Sequence, residues 1–247
     1  MDIDQRLRAV QDRVEAACRA AGRDPGSVRL LAATKTRTVE EIAQVVKAGQ
    51  SLLGENRAQE LRDKVEPLAA ALPPGQPVPE WHFIGPLQRN KIKYVVGRAR
   101  LVHAVDSLKL AQELSLAASA LPADRDPPGG PPLGVLVEVN VGGEASKAGV
   151  PPDQALALCE EIARLPGLAL QGLMTIPPET EDMAQARAWF RVLAELAAQG
   201  RARGLPLQEL SMGMSGDLEA AIAEGATIVR VGTAIFGPRP PRPALDG

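Results

Sequence analysis

A lysine stands where an apolar strand should end, in the segment VRLLAATKTRT at residues 28–38. The apolar residues before it are typical of a buried β-strand, and Thr38–Glu41 after it has the form of a helix capping box. Lys35 is therefore predicted to lie at a strand–helix junction. A lysine in this place is a solvated loop residue, a phosphate binder or a nucleophile that forms a Schiff base with a carbonyl.

Two later segments have the features of a phosphate site. In MGMSGDLEAAI (212–222), Gly213 and Gly216 allow close approach of the backbone to a ligand. Ser215 is the predicted N-cap of a helix whose free N–H groups favour an anion. In VGT (231–233), Gly232 supplies an unhindered N–H group and Thr233 supplies a hydroxyl. The two segments together predict that a phosphate is bound.

The elements that must position these residues alternate along the chain. Eight apolar runs are typical of parallel strands buried on both faces, and seven helical patterns separate them. This order predicts a single (β/α)8 barrel over residues 1–247, with a leading helix near residues 4–21 in the outer position left vacant after strand eight. An open doubly wound sheet is less favoured, because no GxGxxG motif follows the first strand. The strand segments are 28–35, 51–56, 80–85, 100–106, 133–140, 168–176, 207–213 and 227–233.

Two proline-rich segments stand outside this alternation. Residues 122–132 (PADRDPPGGPP) precede strand five and are expected to be a linker at the N-terminal face of the barrel. Residues 238–247 are expected to be a loosely ordered tail, since proline is incompatible with a long helix there.

Active sites of such barrels lie at the carboxyl ends of the strands. Lys35 follows strand one and the phosphate segments follow strands seven and eight, so a closed barrel brings them to one mouth. Arg230 on the neighbouring strand eight is expected to lower the pKa of Lys35 and make it nucleophilic. The predicted ligand is a phosphorylated aldehyde: a sugar phosphate, as in a Schiff-base aldolase, or pyridoxal 5′-phosphate (PLP).

Seven blocks of the sequence resemble a known family in order and spacing. They are ATKTRTVEEI, GENRAQE, WHFIGPLQRNK, VNVGGEASKAG, GLMTIP, LSMGMSGDLEAAI and VRVGTAIFG, between about residues 28 and 237. The family is that of the pyridoxal phosphate homeostasis proteins, and the resemblance implies a fold similar to the barrel domain of alanine racemase. It further implies PLP as cofactor, held as an aldimine on Lys35. By the same carry-over, Ser215, Gly232 and Thr233 hold the phosphate, Arg230 faces the pyridine nitrogen, and Asn56, His82 and Met214 line the ring.

The same blocks bear on whether the protein is an enzyme. An arginine cannot accept the proton of the ring nitrogen, which weakens PLP as an electron sink. Racemisation also needs a second acid or base, and the sole tyrosine, Tyr94, falls in a helical pattern and is expected to be half-buried there. We therefore expect a non-catalytic, monomeric PLP carrier in intracellular vitamin B6 and amino-acid homeostasis, with PLP-dependent apoenzymes as recipients. A weak fold-type III enzyme such as an amino-acid racemase, and a cofactor-free aldolase, remain as alternatives.

Other chemistry-bearing residues receive plainer interpretations. Cys18 and Cys159 fall on packed faces of helical patterns, and no His/Cys/carboxylate cluster predicts a metal. His103 is expected to be a core residue and Lys147 a solvated loop residue. Glu55 and Arg57 either touch the ligand or link adjacent loops, and Arg37 stands where some family members have a second lysine.

The overall composition excludes several classes. A net charge of −2 and a pI near 5.8 give no signature for nucleic acid or an anionic membrane. No apolar run approaches the length needed to span a bilayer. The N-terminal segment has acidic residues and no apolar h-region, so a cytosolic protein is expected.

Overall fold

A computed structural model describes residues 2–121, 131–144 and 147–238 of the chain. Over these residues, eight parallel strands close into a barrel in chain order. Each strand lies within its predicted segment, so the predicted (β/α)8 barrel is confirmed. The strands are β1 (Arg29–Ala33), β2 (Leu52–Glu55), β3 (Glu80–Phe83), β4 (Leu101–Val105), β5 (Leu133–Glu138), β6 (Leu168–Met174), β7 (Glu209–Ser211) and β8 (Ile228–Val231).

Helices cover the outside of the barrel. Within the described ranges they are α1 (Ile3–Ala20), α2 (Val39–Lys47), α3 (Ala58–Ala71), α4 (Ile92–Val95), α5 (Leu108–Ser119), α6 (Pro152–Ile162), α7 (Met183–Ala202), α8 (Leu218–Ala223) and α9 (Thr233–Phe236). α4 is shorter than the pattern at 88–97 predicts, because a 3-10 turn at Arg89–Lys91 takes its first residues. No helix in the described part of the chain is long and apolar enough to cross a membrane.

The leading helix α1 closes the outer ring. Asp2 caps it by accepting the Gln5 N–H at 2.8 Å. α1 packs against α8, α9 and α2, which is the outer position that the sequence predicts for it. Cys18 is fully buried on its inner face, and Cys159 is fully buried in α6, as expected for both cysteines.

Side chains along each strand alternate between the barrel interior and the helices. Leu31 and Ala33 belong to a small apolar cluster inside the barrel, whereas Ala32 belongs to the larger core under the helices. Lys35 lies two residues beyond Ala33, in the turn that follows the carboxyl end of β1, and it is partly buried. In β2, Leu52 belongs to the inner cluster and Gly54 faces it, and Asn56 directly follows this strand.

The two proline-rich segments fall largely beyond the described residues. Residues 122–130 of the expected linker and residues 239–247 of the expected tail lie outside them. Pro131 and Pro132 are described and exposed, immediately before β5.

Candidate functional site

The turn that carries Lys35 is fixed by hydrogen bonds on both sides of it. Thr34 Oγ1 donates to Glu55 Oε2 at 2.9 Å, and the Thr36 N–H donates to Glu60 Oε2 at 3.0 Å. Thr36 has a φ of +64°, in the left-handed region that costs free energy for a β-branched residue. The hydrogen bond to Glu60 therefore stabilises the left-handed backbone conformation of Thr36, the residue that follows Lys35 in the turn.

A buried lysine ties this turn to the next strand. Lys64 Nζ on α3 lies 2.7 Å from Glu55 Oε2 and 2.8 Å from Glu60 Oε2, and it donates to the Thr34 carbonyl at 3.0 Å. Burial raises the pKa of Glu55, and the nearby charge of Lys64 opposes that rise. Glu55 thus links the ends of β1 and β2. Arg57 pairs with Glu60 at 3.3 Å, within the first turn of α3.

Asn56 presents a polar atom at the mouth of the barrel. Its side chain is partly buried, and its Oδ1 has no hydrogen-bond partner among the described residues. Gly85 packs directly against it: a Cβ at Gly85 would lie 2.4 Å from the Asn56 carbonyl oxygen. A buried amide oxygen without a partner is costly, so this position favours a ligand that donates to it.

The loop after β7 is compact and differs from prediction in one respect. Gly213 has a φ of +90°, and a Cβ there would lie 2.5 Å from the Ala221 Cβ of α8, so only glycine fits. The predicted N-cap at Ser215 is wrong: α8 begins at Leu218, and Asp217 occupies the N-cap position without a side-chain capping bond. Asp217 Oδ1 accepts the Met214 N–H at 2.6 Å, and this turn delays the helix by two residues. Ser215 stays in the loop, half-buried.

The loop after β8 lies beside the loop after β1. Gly232 follows β8 and Thr233 begins α9. A Cβ on Gly232 would lie 3.3 Å from the carbonyl oxygen of Ala33, so the backbone segments after β8 and at the end of β1 approach closely here. The structure therefore brings Gly232 and Thr233 to the same end of the barrel as Lys35.

Arg230 lies deeper in the interior than Lys35. It pairs in register with Leu31, four residues before the lysine, and is only 4% exposed. Its guanidinium donates to Ser211 Oγ at 2.5 Å and to the Thr175 carbonyl at 2.9 Å. Burial lowers its pKa to about 10, so Arg230 stays cationic at neutral pH.

The two histidines of the chain contact each other across β3 and β4. His82 Nδ1 lies 2.9 Å from His103 Nε2, and His82 Nε2 lies 2.7 Å from Glu80 Oε1. His103 is fully buried, which confirms its predicted core role. Both ring nitrogens of His82 are bonded, so only the face of its ring could contact a ligand. The predicted contact between His82 and the PLP ring stays a prediction.

Glu138 is a residue of the mouth that the sequence prediction missed. It follows Leu136 of the inner cluster by two residues, is 6% exposed, and its Oε2 has no partner in the described structure. Burial raises its pKa to about 7; the charge of Asp106 adds to the rise and Arg230 opposes it. The sequence contains a feature that could have revealed it: Glu138 is the one charged residue of the apolar run LGVLVEVN, and it falls at an inward position of that strand.

Lys147 and Arg37 each connect two segments of the chain through a backbone carbonyl group. Lys147 Nζ donates to the Pro177 carbonyl at 3.1 Å and pairs with Glu144 at 3.0 Å, while its side chain remains 33% exposed to solvent. It connects the loops after β5 and β6. Arg37 is buried and donates to the Gly237 carbonyl at 2.6 Å, which holds the end of α9.

Met214 and Tyr94 lie in different surroundings, one at a cleft and the other in an outer helix. Met214 is half-buried on the wall of a cleft of about 470 Å³ between the loops after β6 and β7, facing Pro177 and Glu179. Tyr94 is half-buried in α4, as predicted, with the Arg62 guanidinium 4.7 Å from its ring centre.

Comparison with known proteins places this barrel in a family. The family described as "Alanine racemase, N-terminal domain" matches residues 5–240. A pyridoxal phosphate homeostasis protein from Vibrio cholerae serotype O1 is 46% identical over 237 residues, which cover 96% of each chain. This chain belongs to the pyridoxal phosphate homeostasis protein family. A member from Aquifex aeolicus is 43% identical over 240 residues, 97% of this chain and 99% of that one.

A solved structure of the family contains the cofactor. PipY of Synechococcus elongatus with PLP bound has a TM-score of 0.79 to this chain and is 33% identical, covering 96% of this chain and 100% of PipY. Members of the family thus share one barrel, with an alanine racemase-like fold, over the whole length compared.

Proposed function

We propose that this protein binds PLP as a Schiff base on Lys35 and acts in PLP (vitamin B6) and amino-acid homeostasis without catalytic turnover. PLP is bound in the related PipY, and the relatives carry the homeostasis name. The observation that carries the proposal is the place of Lys35: it is partly buried, in a turn at the carboxyl end of β1 held by the carboxylates of Glu55 and Glu60, and the loop of Gly232 packs against the end of the same strand.

The residues around Lys35 fit the parts of PLP. The loop of Ser215 and the start of α9 at Gly232 and Thr233 supply N–H and hydroxyl groups for a phosphate. The buried, unpartnered Oδ1 of Asn56 offers an acceptor to the polar edge of the ring. Met214, half-buried in the loop after β7, is assigned to the pocket wall. His82 is assigned to it by the family resemblance, although its ring nitrogens are bonded to Glu80 and His103 inside the barrel.

The expected absence of turnover follows from what these residues can do with protons. Bound PLP supplies an electron sink, which is strong when its ring nitrogen is protonated. Arg230 has donors only and cannot share such a proton, so it favours the unprotonated ring. Tyr94 lies in the outer helix α4, and both nitrogens of His82 and of His103 are bonded inside the barrel. We infer a monomeric cytoplasmic carrier that delivers PLP to apoenzymes.

One observation favours a second candidate function, a weak amino-acid racemase. Glu138 is a carboxyl group near the mouth, and burial raises its pKa to about 7, the range suited to an acid–base catalyst. Repeated turnover of an amino acid by the purified protein, lost in both Lys35→Ala and Glu138→Gln, would establish this function in place of the carrier.

The test of the proposed function is chemical trapping. Purified protein is mixed with PLP, its absorbance is recorded before and after borohydride reduction, and the reduced adduct is located by peptide mass mapping. We expect a visible band and a pyridoxyl group on the Lys35 peptide. Lys35→Ala should lack both, while the exposed Lys109→Ala should keep both. A colourless protein that takes up no PLP would refute the proposal, and trapping of a sugar phosphate on Lys35 would support an aldolase.

A further inference from the structure

A line of polar side chains crosses the barrel interior from its N-terminal end to Arg230. Glu80 at the start of β3 bonds His82, which bonds His103 on β4, which lies 2.8 Å from Ser211 Oγ on β7. Ser211 Oγ in turn accepts from Arg230 at 2.5 Å. We call these five residues the interior chain. Its Glu80 end is 44% exposed, whereas its other members are nearly fully buried.

The chemistry of its two ends fixes the direction of every bond between them. Arg230 can only donate, so the hydroxyl proton of Ser211 points away from it, toward His103 Nδ1. His103 Nδ1 is then an acceptor, and a neutral ring carries its proton on Nε2. The same reasoning passes to the next ring: His103 Nε2–H donates to His82 Nδ1. His82 Nε2–H completes the series by donating to the carboxylate of Glu80, which only accepts.

We propose that the interior chain is a one-directional hydrogen-bond relay that positions Arg230 in the ligand site, with both histidines neutral and protonated at Nε2. Ser211 and His103 are then positioning residues that act through Arg230. The relation to the cofactor rests on the proposed function, since it requires PLP beside Arg230. The direction of the relay does not depend on PLP.

The surroundings of the two rings favour the neutral forms that this direction needs. Burial lowers the pKa of His82, although Glu80 opposes the effect. Burial lowers the pKa of His103 further, and the nearby His82 and Arg230 add to it. A proton added to His82 Nδ1 would face the Nε2–H of His103, so it would break the relay at its centre.

The other charged groups near the Glu80 end come from three neighbouring elements. Arg29 on β1 lies 3.8 Å from Glu80 Oε1 and 2.8 Å from Glu209 on β7, and Arg100 precedes β4. The hydrogen bond from His82 lowers the pKa of Glu80, and the two arginines lower it further. The acceptor-only form of Glu80 therefore persists at neutral pH, and with it the direction of the relay.

The direction is testable on the PLP-free protein, because the sequence contains only two histidines. Untagged protein labelled with 15N-histidine gives long-range 1H–15N spectra in which every ring signal belongs to the interior chain. We expect both rings to be neutral and protonated at Nε2 at neutral pH. An Nδ1–H tautomer at either ring, or an imidazolium signal, would overturn the proposed direction.

The positioning role is tested by Ser211→Ala, with Ser211→Thr as the variant that retains the hydroxyl. A matched control is Ser115→Ala on α5, which removes another buried hydroxyl, bonded to the Pro166 carbonyl at 2.6 Å. We expect Ser211→Ala to raise the apparent Kd for PLP about tenfold, the scale of one hydrogen bond to a charged group. It should also shift the pH midpoint of the visible band of bound PLP.

Each outcome of this comparison decides the proposal. Recovery of both readouts in Ser211→Thr, with no change in Ser115→Ala, supports positioning through the hydroxyl. Wild-type affinity and midpoint in Ser211→Ala would refute it, as would equal losses in Ser211→Ala and Ser115→Ala. If Ser211→Thr does not fold by circular dichroism, the two alanine variants still decide. Failure of the wild-type protein to take up PLP would refute the proposed function and the link to the ligand, while the histidine spectra would still decide the direction.

Discussion

Lys64 Nζ lies 2.7 Å from Glu55 Oε2 beneath the turn of Lys35, and the carboxylate side chain is fully buried. A buried ion pair offsets its desolvation only when further hydrogen bonds complete it. Here they do: Lys64 also bonds Glu60 and the Thr34 carbonyl, and Glu55 accepts from Thr34 Oγ1. The backbone before and after Lys35 is thus held by the same cluster of charges.

Lys64→Met should destabilise the protein strongly, because it leaves Glu55 buried without a cation. We expect a loss of about 3–5 kcal/mol in the free energy of unfolding, measured by urea denaturation. The control is Arg164→Met, which breaks the exposed pair with Glu161 and should cost less than about 1 kcal/mol. Equal losses in the two variants would contradict the role given to Lys64. Adding Glu55→Gln to Lys64→Met should recover part of the loss.

Lys35→Ala should fold with nearly wild-type stability. Lys35 lies in the turn after β1 and is only partly buried, so its removal creates no core cavity. We expect a change of less than about 1 kcal/mol in the free energy of unfolding of the PLP-free protein. Thr34→Ala is the comparison, because it removes a buried hydroxyl from the Glu55 cluster and should cost more. A collapsed melting curve for Lys35→Ala would mean that its side chain supports the core.

The fold could be predicted from sequence because each barrel unit repeats a local pattern. Apolar runs of strand length, capped helices and short turns each depend only on residues close together in sequence. Eight repeats of strand and helix then favour a closed barrel, which is the topology observed. The junction of Lys35 and the glycines of the loops after β7 and β8 are local signals of the same kind. Ser215 shows their limit: a turn in which Asp217 accepts the Met214 N–H lies between the serine and α8, so the N-cap position falls two residues later, at Asp217.

Contacts that depend on register between strands lay beyond prediction. The pairing of His82 with His103 needs β3 and β4 in one particular register, with both rings turned inward. Lys64 was equally hidden, since a lysine on a helix ordinarily belongs to the solvated face. Its burial follows from the carboxylate of Glu55, which arrives from β2, and no local pattern of α3 reveals that partner.

Ser215→Ala should weaken PLP retention while leaving the reaction of Lys35 possible. The hydroxyl of Ser215 is one of the proposed phosphate donors, and a hydrogen bond to a charged group contributes about 1.5–3 kcal/mol. We expect the apparent Kd for PLP, followed by absorbance titration, to rise about tenfold or more. Ser51→Ala, exposed before β2, serves as the control and should bind normally. Unchanged affinity in Ser215→Ala would remove Ser215 from the phosphate site.

Glu138→Gln should alter the dependence of stability on pH. The pKa of Glu138 is about 7 in the folded protein against an ordinary 4.5, so between these values the folded state holds a proton that the unfolded state releases. Its contribution to the free energy of unfolding therefore falls as the pH rises through this window, by up to about 3 kcal/mol.

The glutamine variant stays neutral and escapes this loss, so its stability relative to wild type should increase from pH 4.5 to pH 7. Urea denaturation of the PLP-free proteins at several pH values measures the difference. The exposed Glu66→Gln on α3 is the control and should track the wild-type curve. Parallel curves for wild type and Glu138→Gln would show that Glu138 ionises normally at the barrel mouth, and it would then lose its place as an acid–base group near Arg230.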